Sequence, residues 1–342
     1  MGACSTGLSK RRGSVFESLT LGAVSLPRCT MPSGINGSIS PQCLNQGDVP
    51  SMPSPCLWCA AIEASFRLAR HFAAATAHNK KVYVSGGQGD DSSLKSSLFV
   101  YCPKRNEWEE GPSLLRARSN HCSASLGEEV WVFGGQGEEL SEEEECPELA
   151  TVEVLDPVMG QWREMPSMRC ARSSFGLAVL QGRFYASGGN TEEAVTDAVE
   201  CYDPATETWQ DLPPMGTARC EHGMIATAAS KLLLVAGGTD EAGEELASVE
   251  VFDFEAQAWS IIQPMLTPTS PVQLAVLQNP DDIYALGPVL DFPEGSSLEE
   301  GGSPPVKDEV LDIFNLKTRT WREAHVPSRA RTAYTGSTAV VV

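Results

Sequence analysis

Residues 81–91 read KVYVSGGQGDD and residues 129–139 read EVWVFGGQGEE. A glycine-rich turn after a short apolar strand first suggests a phosphate cradle. Such a cradle opens a helix whose free amides face the anion, with a Lys or Ser/Thr close behind. Here acids follow: Asp90 and Asp91 in the first stretch, Glu138 and Glu139 in the second. Carboxylates at that place repel a phosphate, so the doubled motif needs another explanation.

Working outward, the glycine pair returns at Gly86-Gly87, Gly134-Gly135, Gly188-Gly189 and Gly237-Gly238, with Gly287-Pro288 as a degenerate fifth copy. The intervals are 48, 54, 49 and 50 residues, and a period near fifty signals a repeat architecture. Each pair closes a strand-like run (VYVS, VWVF, FYAS, LLVA, IYAL), and a second run follows (LFVY, VEVL, VECY, VEVF, LDIF). Tryptophan then stands seven residues past the end of the second run every time, as from Tyr202 to Trp209. Ten residues beyond each tryptophan comes Arg118, Arg172, Arg219, Thr269 or Arg331. From that marker to the glycine pair the distance is 16 for Arg70, Arg118 and Arg172 and 18 for Arg219 and Thr269. Only the segment after each glycine pair varies freely, spanning 14, 20, 13, 14 and 26 residues to the end of the second run.

Four short strands per fifty residues cannot bury their faces alone and do so by stacking radially as blades. The sequence is all-β and resembles the kelch repeat, with the apolar strand ending in Gly-Gly, a large apolar residue, tryptophan seven on and an arginine opening the next unit. The resemblance covers about residues 67–342 and implies a kelch-type β-propeller with five four-stranded blades. The C-terminal RTAYTGSTAVVV and the stretch Trp58 to Arg70 suggest an incomplete sixth blade closed by both chain ends. The expected division is 1–55, a disordered N-terminal segment rich in Ser, Gly and Pro, and 56–342, the propeller.

Charge sharpens that division. The 342 residues carry a formal net charge of -20, with +2 in residues 1–60 and -22 in the remainder. This balance disfavours nucleic acid and steers in a basic partner. Eleven cysteines form no regular framework, and the lone C-x-x-C at Cys56 and Cys59 has no second pair to complete a zinc site. At the N-terminus, Gly2 and Thr6 fit the M-G-x-x-x-[ST] myristoylation pattern. Cys4 and the cluster Lys10-Arg11-Arg12 stand beside them as a palmitoylation site and a polybasic second signal. The resulting expectation is cytoplasmic residence with peripheral attachment to a membrane face; a transit peptide, suggested by the acid-poor, Ser-rich start, and a plain tail are the alternatives.

In a four-stranded blade, the variable loop and the loop into the arginine-led strand open on one face. That face holds 22 of the 45 acids, in the five variable loops. Nearer the axis the spacing places Arg70, Arg118, Arg172, Arg219 and Arg331, with Ser119, Asn120, Ser173, Ser174 and His222 beside them. Peptide-binding kelch propellers grip their partners with arginines and polar residues at this place, so the resemblance implies a protein or peptide site here. Ion pairing between repeated arginines and neighbouring acids is the competing structural reading.

Enzymatic patterns are absent. None of the five histidines has an acid four residues before it, as the iron pattern of kelch-type specifier proteins requires, and no Gly-x-Ser-x-Gly elbow occurs. The sequence therefore predicts no catalytic residue, cofactor or metal, and a non-enzymatic scaffold or adaptor. A carbohydrate- or metal-dependent enzyme on the same fold is the alternative.

Overall fold

In the computed structural model, residues 70–89, 91–138, 147–227, 231–276, 279–290 and 306–324 are described. They form twenty strands in five antiparallel sheets. The first blade comprises β1 (Ala74–His78), β2 (Lys81–Ser85), β3 (Leu98–Cys102) and β4 (Glu107–Gly111). The second comprises β5 (Cys122–Leu126), β6 (Glu129–Phe133), β7 (Val152–Asp156) and β8 (Gln161–Met165). The third comprises β9 (Gly176–Leu180), β10 (Arg183–Ser187), β11 (Val199–Asp203) and β12 (Thr208–Leu212). The fourth comprises β13 (Gly223–Thr227), β14 (Leu232–Ala236), β15 (Val249–Asp253) and β16 (Ala258–Ile262). The fifth comprises β17 (Gln273–Val276), β18 (Asp282–Leu290), β19 (Val306–Asn315) and β20 (Thr320–Ala324). Each sheet uses four consecutive strands in sequence order, and the blades stand in a ring as a β-propeller. The innermost strands line an axial cavity of about 320 Å³. The segment 1–55 and, apart from Arg70, both pieces of the expected sixth blade lie outside the described residues.

The constant spacings have direct geometric causes. Seven residues separate strand end and tryptophan because the two are cross-strand partners in every blade: Tyr101 with Trp108, Leu155 with Trp162, Tyr202 with Trp209, Phe252 with Trp259 and Phe314 with Trp321. The turn between them has a left-handed residue two before the tryptophan, at Asn106, Gly160, Glu207, Gln257 and Arg319, which fixes its length. Each later tryptophan also latches its blade to the one before. Trp162, Trp209 and Trp259 donate from Nε1 to the carbonyls of Pro112, Pro166 and Pro213, all at 2.8 Å, and Trp321 donates to Gln263 at 2.9 Å.

The glycine pairs sit where blades meet. In the first four blades both glycines have positive φ. A Cβ on Gly134 would lie 2.6 Å from the Arg172 carbonyl, while Gly135 donates its own N–H to that carbonyl at 2.9 Å. The second glycine also accepts from the residue at which its loop returns: Lys95 onto Gly87, Leu149 onto Gly135, Thr196 onto Gly189 and Leu246 onto Gly238, at 2.7–3.0 Å. Every variable loop in these blades is thus pinned at its base.

The fifth blade departs from this plan. Proline at position 288 has no N–H to offer the next blade, and Gly287 is not left-handed. The turn seen in the other blades does not form. Instead β18 runs nine residues to Leu290 and pairs with a ten-residue β19 across a register shift between Gly287 and Val289.

Candidate functional site

The mouth of the ring is built by the two residues after each repeat marker and the residue after each glycine pair. Isolated bridges join them within each of the first four blades: His71 with Gln88, Ser119 with Gln136, Ser173 with Asn190 and Cys220 with Thr239. A chain of backbone hydrogen bonds then crosses from blade to blade. Asn120 donates to Phe72, Ser174 to Asn120, Glu221 to Ser174 and Val272 to Glu221, at 2.7–3.0 Å. Phe72, Asn120, Ser174 and Glu221 all have φ between 50° and 58°, an uncommon conformation for residues with a side chain. The interblade hydrogen bonds hold them there.

The arginines expected to face a partner are turned inward. Arg118, Arg172 and Arg219 are 0% exposed. Their Nη1 atoms donate to the first glycine carbonyls of their own blades, Gly134, Gly188 and Gly237, at 2.7, 2.7 and 2.9 Å. Their Nη2 atoms pair with buried glutamates in the third strands: Arg118 with Glu153, Arg172 with Glu200 at 2.7 Å and Arg219 with Glu250 at 2.8 Å. These groups have no surface with which to touch a partner, and the expected basic inner ring is instead a set of internal struts. Arg70 is half-buried in the same posture, donating to the Gly86 carbonyl at 3.0 Å, with Phe99 under its guanidinium where the second to fourth blades place glutamate. Arg331 lies outside the described residues, as do Gly2 and Cys4.

The polar residues beside the arginines divide. Ser119 and Ser173 are buried, and their backbones bridge to Gln136 and Asn190. His222 is buried behind the mouth with Nε2 2.9 Å from Ser187 Oγ, and burial drops its pKa to about 3, helped by Arg219 and Arg172. Asn120 and Ser174 do reach the mouth, half-buried, with Asn120 donating to Gln136 Oε1 at 3.0 Å.

Around these two the structure adds residues that the sequence reading missed. Phe72 is 38% exposed at the first blade's position. Glu221 accepts from Ser270 Oγ at 2.9 Å, and Thr239 donates to Ser270 at 2.7 Å. Glu148 is half-buried beside Gln136, and burial raises its pKa to about 7. Glu245 is also raised, by burial and then by Glu221. The available signal was a spacing: Phe72, Asn120, Ser174 and Glu221 each stand two residues after an arginine marker. Among the described residues, no three His, Cys, Asp or Glu side chains group to hold a metal.

Known proteins agree with this geometry. A family profile described as the KLHDC2/KLHL20/DRC7 Kelch-repeats domain matches residues 70–287. Kelch-like protein 36 of Rattus norvegicus is 32% identical over 122 residues, 35% of this chain and 20% of that protein. Kelch-like protein 25 of Xenopus tropicalis is 28% identical over 187 residues, covering 54% and 31%. Alpha-scruin of Limulus polyphemus is 29% identical over 206 residues, covering 60% and 17%. The chain thus matches no more than about a third of any of these three relatives. The solved structure of YjhT superposes with a TM-score of 0.60 at 14% identity, over 75% of this chain and 84% of that one, which shows the shared fold. With the profile running from the first blade into the fifth, over more than half of the sequence, the chain belongs to the kelch-repeat family.

Proposed function

We propose that the chain is a non-enzymatic interaction module that holds a protein or peptide against the mouth of its ring. One observation carries this reading. The left-handed positions at the mouth share a single backbone frame, yet present Phe72, Asn120, Ser174 and Glu221 in successive blades. A repeat reproduces its frame for stability alone, whereas different side chains at the same rigid, partly exposed position make a specific surface. Phe72 offers an aromatic anchor of the kind that dominates interfaces. The carboxylates of half-buried Glu148 and Glu221 and of exposed Glu245 favour basic side chains opposite them. The net charge of -20 steers such a partner in, more weakly as salt rises.

The test is quantitative affinity purification with the wild-type chain, Glu221→Lys/Glu245→Lys at the mouth, and Glu255→Lys in the β15–β16 turn as a control away from it. Partners lost with the mouth variant and kept by the control are expected, with both variants melting close to wild type. A mouth variant that folds and keeps every partner removes this face as the site.

A further inference from the structure

The fifth blade repeats the buried carboxylate of its neighbours without the arginine that neutralises it. In the second and fourth blades, one oxygen of Glu153 or Glu250 takes a guanidinium, while the other takes a backbone N–H from the preceding loop, of Leu115 or Gly216. Asp312 holds that place in β19, and the backbone N–H of Leu266 duly donates to its Oδ2 at 2.9 Å. The arginine position, however, is Thr269. Its hydroxyl donates to the Thr267 carbonyl at 3.1 Å, and its methyl group packs where a Cβ on Gly287 would stand. Asp312 is 3% exposed, and its Oδ1 has no hydrogen-bond partner among the described residues.

No other described cation takes the arginine's role. On β20, Glu323 stands directly opposite Asp312 in register and adds negative charge, while neighbouring Arg322 reaches Asp282 at 3.2 Å. On β18 the residue opposite is Ala285, and Asp282 at the strand's start is tied to Asn279 and Asn315. The loop 263–271 has no titratable side chain, β17 presents the uncharged Gln273, and Arg219 of the fourth blade is committed to Glu250. A buried ionised carboxylate with one oxygen unsatisfied is far costlier than a neutral acid in the same place. We propose that Asp312 is carried as a neutral carboxylic acid in the folded fifth blade, and that its ionisation loosens β17–β20, making this blade a pH-sensitive seam in the ring.

Burial moves the Asp312 pKa upward; the backbone N–H groups of Leu266 and Thr267 oppose this without cancelling it, and Glu323 adds a smaller upward push. The folded state therefore holds its proton to higher pH than the unfolded chain, whose aspartates titrate near about 3.9. The stabilisation is complete below that value and is lost as pH rises through the folded pKa. Hydrogen exchange of the full chain, wild type beside Asp312→Asn, reads this blade by blade from about pH 4.5 to about pH 8. Dilute protein is required because the isoelectric point is about 4.6.

At the upper end, peptides covering 282–286 and 312–315 are expected to exchange several-fold faster in wild type than in the variant. That ratio should shrink toward the acid end, while third-blade peptides stay equal throughout. A ratio independent of pH overturns the proposal. The ¹³C carboxyl resonance of Asp312 in wild type gives a second reading that needs no variant, and a titration midpoint at or below the ordinary aspartate value would equally refute it.

Discussion

The arginines show how a repeated charge can be structural. Arg172 donates to the Gly188 and Ala198 carbonyls and to Glu200, and Glu200 also accepts from the backbone N–H groups of Arg169 and Cys170. Removing one partner strands the other in a buried site, where Arg172 is 0% and Glu200 2% exposed. Arg172→Met should therefore cost about 3–5 kcal/mol in urea unfolding, and Arg172→Met/Glu200→Gln distinctly less, because the second change discharges the stranded carboxylate. A single variant as stable as wild type would show that the guanidinium does not hold the blade together. The arginine's fixed distance to the glycine pair was legible in the sequence, but its burial was not. The overlooked signal was the glutamate in VEVL, VECY and VEVF, an acid flanked by large apolar residues in a strand whose two faces are both covered by neighbouring blades.

Within an element, left-handed glycines are not equivalent. Gly127 in the β5–β6 turn has φ +61° and nothing within 4 Å of a would-be Cβ, whereas Gly134 at the end of β6 has φ +57° and the Arg172 carbonyl at 2.6 Å. Gly127→Ala should cost only the conformational penalty, about 1–2 kcal/mol. Gly134→Ala should cost a further ~1–3 kcal/mol, since the carbonyl it meets is backbone of the next blade and cannot move aside alone. Thermal midpoints of the two variants check this, and equal midpoints would mean the blade junction is looser than its distances indicate. Strand positions and the tryptophan hairpin were readable from spacing because both follow from cross-strand register. The extension of β18 was not, because Gly287-Pro288 reads in the sequence as a degraded copy of the turn, whereas the loss of one N–H and of both left-handed residues removes that turn altogether.

Across the whole ring, pH acts through groups in different blades with opposite sign. His121 and His222 are buried at equivalent places, each with Nε2 2.9 Å from a serine that ends the preceding blade's second strand, Ser85 and Ser187. Burial first, then nearby arginines, lowers both pKa values, that of His222 to about 3 and that of His121 well below its usual value. The unfolded chain takes up these protons from about pH 6.5 downward while the folded ring does not, so stability is full above that pH and declines below it. Unfolding free energies from urea titrations should fall on acidification by up to about 1.4 kcal/mol per pH unit for each histidine, and His121→Gln/His222→Gln should flatten the slope. A slope unchanged in that variant would assign acid sensitivity elsewhere. This arrangement was not legible as chemistry, since a lone histidine beside an arginine marker reads equally well as a surface contact.

The loop bases have a consequence for how such a molecule can change over generations. Because each of the first four variable loops leaves from and returns to the same glycine, insertions or deletions between those two points leave the strands, struts and latches untouched. Loop-closure entropy grows only logarithmically, so doubling a loop costs about 0.6 kcal/mol. Length variation on this face is therefore cheap for the fold while directly altering the surface a partner meets. Selection can retarget the ring by lengthening and shortening loops at a rate set by binding rather than by folding, and a designer could graft recognition segments at Gly87, Gly135, Gly189 and Gly238 on the same terms.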